Sequence, residues 1–320
     1  MIFEKQIVNM YKGMMHTRCD DTETVFYFSP EDFEGIKYEP MSFRASAGHI
    51  LKGYLYQGDS ARSDRLIVFD HGFGGGHRAY MREIAKLCRH GYMVFSYDHT
   101  GCMESGGETP GGLAQSLCDL NDCIAMLKAD ERFSSTEISV MGHSWGAFST
   151  MNIAALHPEI KSIVAISGFV SVEIMIGLFF DGLLKVYRKP IMELEKNSNP
   201  SFYEYNSAKS IRDSGVRAFL IYSDNDTMCK PINYEILKSE LSGLDNVRLL
   251  LVSGKGHNPN YTADAVAYLG EFGKARAKLL KRKNVTKEEK ESFVSSFDWN
   301  RMTEQDESVW QAIFDHLDSK

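Results

Sequence analysis

No excess of basic residues, no closely paired cysteines and no long uncharged apolar run occur in this sequence, and each absence removes a class of protein. Lys and Arg number 36 against 43 Asp and Glu, a formal net charge of −7. That balance argues against a nucleic-acid partner, which favours a basic patch. The one basic cluster, Lys274 to Lys283, is interleaved with Ala and Leu and reads as the solvated face of a helix. The six cysteines form no CxxC pair and no Cys/His grouping with zinc-ligand spacing. Free thiols in a reducing cytoplasm, with no metal or cofactor, are the expectation. The opening Met1-Ile2-Phe3-Glu4-Lys5 lacks the layout of a signal peptide. The most apolar stretch, 163–184, is interrupted by Glu173 and Asp181 and punctuated by Gly168, Gly177 and Gly182, so no membrane span is expected. There is no internal repeat.

What is present is an alternation of short apolar runs with longer helical patterns. A chain of 320 residues buries roughly three quarters of its unfolded surface and needs no staple. Residues 37–43 and 49–56 read as an opening antiparallel pair. Buried strands are expected at 65–70, 92–97, 137–141, 162–166, 216–222 and 247–252. Helices are expected at 77–90, 112–129, 146–157, 231–242 and 260–280, where apolar residues recur at helical spacing. Strands alternating with helices imply an α/β fold with a mostly parallel sheet. Residues 168–212 break the rhythm and read as a small helical insertion. The core is thus 1–167 with 213–283. In the tail, 284–320, Thr286-x-x-Glu289 and Thr303-x-x-Asp306 are helix-start signatures. Val309, Trp310, Ile313, Phe314 and Leu317 then fall on one face that should pack on the body.

Gly142-His143-Ser144-Trp145-Gly146 matches G-x-S-x-G between a buried strand and a helix. A serine lifted above a sheet on such a turn needs glycine two residues to either side, because the turn is strained and crowded. A serine hydroxyl needs a base to become a nucleophile. His257 follows the last apolar strand, so its loop leaves from the same edge of the sheet. Its carboxylate partner lies in Ser223-Asp224-Asn225-Asp226. Both aspartates follow a strand, and Asp226 is preferred over Asp224 for reach. Acyl transfer also needs donors for an oxyanion. The N–H of Trp145 is one, and the N–H of Phe73, in the glycine-rich loop His71-Gly72-Phe73-Gly74-Gly75-Gly76, is the other. That loop does not give G-x-G-x-x-G, and the P-loop lysine is absent, which sets nucleotide binding aside.

On these residues the chain resembles the α/β-hydrolase superfamily across about 60–280. The motifs are His71-Gly72-Phe73, Asp98-His99-Thr100-Gly101-Cys102-Met103-Glu104-Ser105, the pentapeptide around Ser144, Asp226 and Gly256-His257. Met103 stands where the second motif usually has its second glycine. Among branches, the chain is most similar to the serine aminopeptidase, monoacylglycerol lipase and cinnamoyl esterase group. The resemblance implies hydrolysis of a small-molecule carboxylic ester through an acyl-enzyme on Ser144, without a cofactor, and a lid made by the insertion. Its Met and Phe residues, Phe179 and Phe180 among them, either line an apolar pocket or pack the insertion down. A peptidase, amidase, thioesterase or acyltransferase could use the same residues, and a silent ligand-binding module is the reading from another class. Homo-oligomerisation is left open.

Overall fold

The computed structural model describes residues 3–319. Eight strands form one sheet: β1 (Ile36–Pro40), β2 (Gly53–Gly58), β3 (Arg62–Asp70), β4 (Tyr92–Tyr97), β5 (Glu137–His143), β6 (Ser162–Ile166), β7 (Arg217–Ser223) and β8 (Val247–Val252). Their spatial order is β1-β2-β4-β3-β5-β6-β7-β8. β1 and β2 pair antiparallel, β2 meets β4 antiparallel, and every pairing from β4 to β8 is parallel. A short hairpin, Phe43–Arg44 with Ile50–Leu51, sits between β1 and β2.

The central strands are buried on both faces, so their residues divide between two cores. Leu66 and Val68 of β3, Ile138 and Val140 of β5, and Ala218, Leu220 and Tyr222 of β7 join the core under helices Gln115–Ala129 and Trp145–Ile153. Ile67 and Phe69, Met141, and Phe219 and Ile221 face the other way. Helix Met81–Arg89 and helix Glu307–Asp318 cover that second face. The last helix contributes Val309, Trp310, Ile313, Phe314 and Leu317 to it. Burying five such side chains is worth on the order of 10 kcal/mol as an upper bound.

Asp306 caps this last helix by accepting from Ser308 N at 2.9 Å and Val309 N at 3.3 Å. The expected start at Thr303 is therefore corrected: Thr303 Oγ1 instead donates back to Trp299 O at 2.7 Å and closes the preceding turn. The Thr286 signature does open a helix, Lys287–Ser295, with both bonds of a capping box in place.

Residues 168–212 hold helices Val172–Phe179, Arg188–Ser198 and Ser207–Ser214, the last running on to 214. Phe169, Met175, Ile176 and Phe180 are buried in the core, so these side chains pack the segment down rather than line an open pocket. Phe180 lies 6.0 Å, ring to ring, from Tyr11 of an N-terminal helix, Glu4–Met15. Glu195 holds this corner together. Its buried carboxylate accepts from Tyr11 Oη and Leu113 N at 2.7 and 2.6 Å, and His16 Nε2 lies 3.3 Å away. Among the described residues, no helix is long and apolar enough to cross a membrane.

Glu83, buried on helix Met81–Arg89, ties the core to the tail: Asn260 Nδ2 and Gln305 Nε2 both reach its Oε1 at 3.2 Å. Burial pushes its carboxyl from an ordinary 4.5 up to about 7. The folded state then binds this proton more tightly than the unfolded chain. Stability from it is full below the unfolded value and is lost as pH rises through about 7. Chemical denaturation from about pH 5 to about pH 8 should cost the wild type about 2–3 kcal/mol more than Glu83→Gln; parallel pH profiles for the two proteins would contradict this.

Candidate active site

The parallel strands β3 to β8 end along one rim, the edge where open α/β sheets bind ligands. β5 ends in the sharpest turn on that rim. Ser144, the first residue after it, has φ 57 and ψ −113, and Trp145 already opens the next helix. A non-glycine residue in this region costs about 1–3 kcal/mol and needs rigid surroundings. They are supplied by Ser144 N donating to Ile166 O at 2.8 Å and by two glycines. A Cβ on Gly142 would collide with the carbonyl of Gly146, and one on Gly146 with the carbonyl of Asp70. The turn exists because both side chains are missing. The N–H of Trp145 begins a helix, where the first donors have no partner inside the helix. Its indole donates to Leu113 O at 2.7 Å and is fully buried.

The loops after β7 and β8 interlock residue by residue. Ser223 Oγ accepts from Lys255 N at 2.9 Å, Asp224 Oδ1 from Gly254 N at 2.9 Å, and Asn225 Oδ1 from Gly256 N at 2.7 Å. The fourth link is Asp226 Oδ2 with His257 Nδ1 at 2.7 Å. Asp226 is buried and also accepts from Met228 N at 2.7 Å and Cys229 N at 3.1 Å. Burial alone would raise its carboxyl, but His257 and these amides hold it below the usual carboxylate value. Asp224 is exposed and occupied with Gly254. It does not meet His257.

His257 and Ser144 approach through His143. The His143 and His257 rings lie 4.8 Å apart, and His143 Nε2 donates to the His257 carbonyl at 2.8 Å. Among the described residues no hydrogen bond joins the Ser144 hydroxyl to His257; Ser144 interacts instead with the buried thiol of Cys229.

The glycine-rich loop rests on a buried polar network. His71 Nδ1 donates to Gly72 O at 2.8 Å, and its Nε2 accepts from His99 N at 2.9 Å. The His99 ring lies between two carboxylates: Nδ1 is 3.1 Å from Asp119 Oδ2, and Nε2 is 3.0 Å from Asp70 Oδ1. The second approach is too far off the N–H axis to count as a hydrogen bond and acts as an ion pair. Burial opposes a charge on His99, but the two aspartates win and carry it up to about 10. His71, buried beside that cation, is pushed down to about 3 and stays neutral. It therefore keeps one nitrogen to donate and one to accept. The Phe73 ring meets the Trp145 ring edge-on at 5.1 Å, so the two expected oxyanion residues are neighbours. Met103 has φ 42, the left-handed geometry that a glycine would adopt freely. Among the described residues, no group of three or more His, Cys, Asp or Glu gathers as a metal cage.

Tyr80 and His143 are the site residues that sequence reasoning passed over. Tyr80 Oη lies 2.9 Å from His143 Nδ1 and accepts from Gly72 N at 3.1 Å. The only sequence signal for His143 was its place inside the pentapeptide. Tyr80 falls within the helical pattern at 77–90 at an apolar position, which carries no signal for a polar role.

The strand order and the strained turn at the end of β5 define an α/β-hydrolase. The family model for serine aminopeptidase, S33, matches residues 61–248, and the chain belongs to that family. A putative carbamate hydrolase RutD of Agrobacterium fabrum is 25% identical over 139 residues, covering 42% of this chain and 51% of the relative. The chain thus spans about half the length of that relative. The acylamino-acid-releasing enzyme of Mus musculus is 26% identical over 142 residues, 42% of this chain and 18% of that one. Among solved structures, the Pyrococcus furiosus esterase Pf2001 superposes with a TM-score of 0.59 at 23% identity, over 82% of this chain and 98% of that one. Est1E from Butyrivibrio proteoclasticus, solved with ferulic acid, gives 0.55 at 17% identity, over 76% and 100%. At these identities the two structures speak for the fold. Family and fold together place the chain in the α/β-hydrolase class.

Gly146→Ala should cost at least about 2–3 kcal/mol, the scale of an overpacked core, because the new methyl meets backbone rather than a movable side chain. Urea denaturation measures it, and a stability equal to wild type would show that the turn can relax.

Proposed function

We propose that the protein is a serine hydrolase that cleaves carboxylic esters through an acyl-enzyme on Ser144. The observation that carries the reading is the 2.7 Å hydrogen bond from His257 Nδ1 to buried Asp226, on the rim that bears the strained Ser144. A carboxylate on Nδ1 fixes the tautomer that leaves Nε2 free to take a proton, and it stabilises the imidazolium that results. In the first step His257 removes the Ser144 proton as the oxygen attacks the ester carbonyl. The N–H groups of Phe73 and Trp145 receive the developing oxyanion, each worth about 3 kcal/mol. The imidazolium then protonates the leaving alcohol. Water repeats the sequence on the acyl group.

Residues 168–212 act in this reading as a cap over the site and bear on specificity. Leu183, at 95% exposure, and Leu184 and Val186 face outward from it, while Phe179 is half-buried. Residues 284–320 serve as an extension that completes the core. The names of the relatives, a carbamate hydrolase and an acylamino-acid-releasing enzyme, make amide and carbamate bonds the natural competitors to esters.

Ser144→Ala should lower p-nitrophenyl ester turnover by about 10³-fold or more with an unchanged circular dichroism spectrum. Wild-type turnover in that variant would remove the assignment. Asp226→Asn should cost about 10³–10⁴-fold, and Asp224→Asn should stay near wild type, since its carboxylate meets Gly254 and Ser253 and not His257. A panel of short, long and aromatic esters beside matched amides and carbamates, scored by kcat/KM, decides the bond. Faster cleavage of the amides would replace esterase with amidase on the same residues.

A further inference from the structure

Gly72 is held at both ends of its backbone unit. Its carbonyl accepts from His71 Nδ1 at 2.8 Å, which sets the plane of the peptide whose N–H belongs to Phe73. Its own N–H donates to Tyr80 Oη at 3.1 Å. The same hydroxyl lies 2.9 Å from His143 Nδ1, and His143 Nε2 lies 2.8 Å from the backbone oxygen of His257. Four residues from three distant segments are thus joined by three hydrogen bonds, with the oxyanion loop at one end and the loop of the base at the other.

We propose that Tyr80 is a positioning residue that sets the distance between the oxyanion loop and the His257 loop, acting through His143. The sense of the chain follows from its far end. A carbonyl oxygen only accepts, so the proton of His143 sits on Nε2. In a neutral imidazole Nδ1 then accepts, so the Tyr80 hydroxyl donates to it. The phenol oxygen keeps its lone pairs for the Gly72 N–H. With His143 neutral, each link dictates the next. Burial and the nearby His257 push His143 down to about 3, which keeps it in the neutral form that the chain needs. The Tyr80 ring is fixed against Phe69, 5.3 Å centre to centre, so the hydroxyl is delivered from a packed base.

This inference rests on the serine hydrolase reading above. It concerns how that site holds its geometry between substrate-free and reacting states. Tyr80 touches neither substrate nor reacting atoms. Its loss should leave the groups present but their spacing slack, and a displacement of about 1 Å in such a site costs up to about 10²-fold.

The test uses the full chain with a p-nitrophenyl ester and a fluorophosphonate probe of Ser144. Tyr80→Phe should lower kcat by about tenfold, with KM and melting temperature close to wild type. His143→Leu, which breaks the same chain, should lose at least as much. His143→Gln should recover most of that loss, because its amide can donate to the His257 carbonyl and accept from Tyr80. Tyr80→Phe combined with His143→Leu should be no slower than His143→Leu alone. A Tyr80→Phe kcat equal to wild type, a change confined to KM, or a double variant slowed by the product of the two single effects would each overturn the proposal. Wild-type protein that the probe fails to label at Ser144 would overturn the hydrolase reading and this proposal with it. Labelled wild type with an unaffected Tyr80→Phe would overturn the proposal alone.

Discussion

Four consecutive residues leaving β7 grip four residues leaving β8, and the rest of the site depends on that interlock. Ser223, Asp224, Asn225 and Asp226 each accept one donor from Gly254 to His257, three of them backbone amides. A histidine on a surface loop would otherwise sample many positions, at a cost of roughly 1–2 kcal/mol for every residue that must be ordered. Here the ordering is completed during folding. The parallel register of β7 and β8, Leu220 beside Leu249 and Ser223 beside Val252, brings the two loops out side by side. The imidazole position is thus a property of the sheet more than of its own loop.

A second constraint lies beneath the glycine-rich loop. A protonated His99 can be buried here because its ring lies between the carboxyl groups of Asp70 and Asp119, and Asp119 accepts further from Thr100 and Gln115. Removing one carboxylate would strand a buried charge, whereas the intact set keeps His71 neutral and its Nδ1–H aimed at Gly72. The electrostatics of the core therefore reach the rim through one imidazole. The backbone strain at Ser144 belongs to the same economy: it persists because Gly142 and Gly146 allow neighbouring backbones closer than any side chain would.

Much of this was legible in the sequence where burial is uniform. The strands at 92–97 and 162–166 begin and end where the apolar runs do, since a strand covered on both faces leaves no polar positions to blur its ends. The helix Glu4–Met15 gave no such signal: Phe3, Met10 and Met14 are exposed while Tyr11 and Met15 are buried, so apolar residues surround its axis and no stripe stands out. The Thr303 signature missed its helix because the Thr303 hydroxyl bonds the carbonyl of Trp299 and Asp306 caps instead. Residue type and spacing suggested Ser144, Asp226 and His257. Links such as Tyr80 to His143, 63 positions apart, are set by packing and leave no pattern in the chain.

The buried corner around Glu195 has a practical consequence. Its carboxylate lies on helix Arg188–Ser198, yet two of its partners, Tyr11 and His16, come from residues 11–16. A shortened protein beginning at β1 would keep every strand and every motif residue. It would nonetheless leave the buried Glu195 side chain with the Leu113 amide as the one of these three partners that remains. The leading helix is therefore a structural part of the foundation on which residues 168–212 rest.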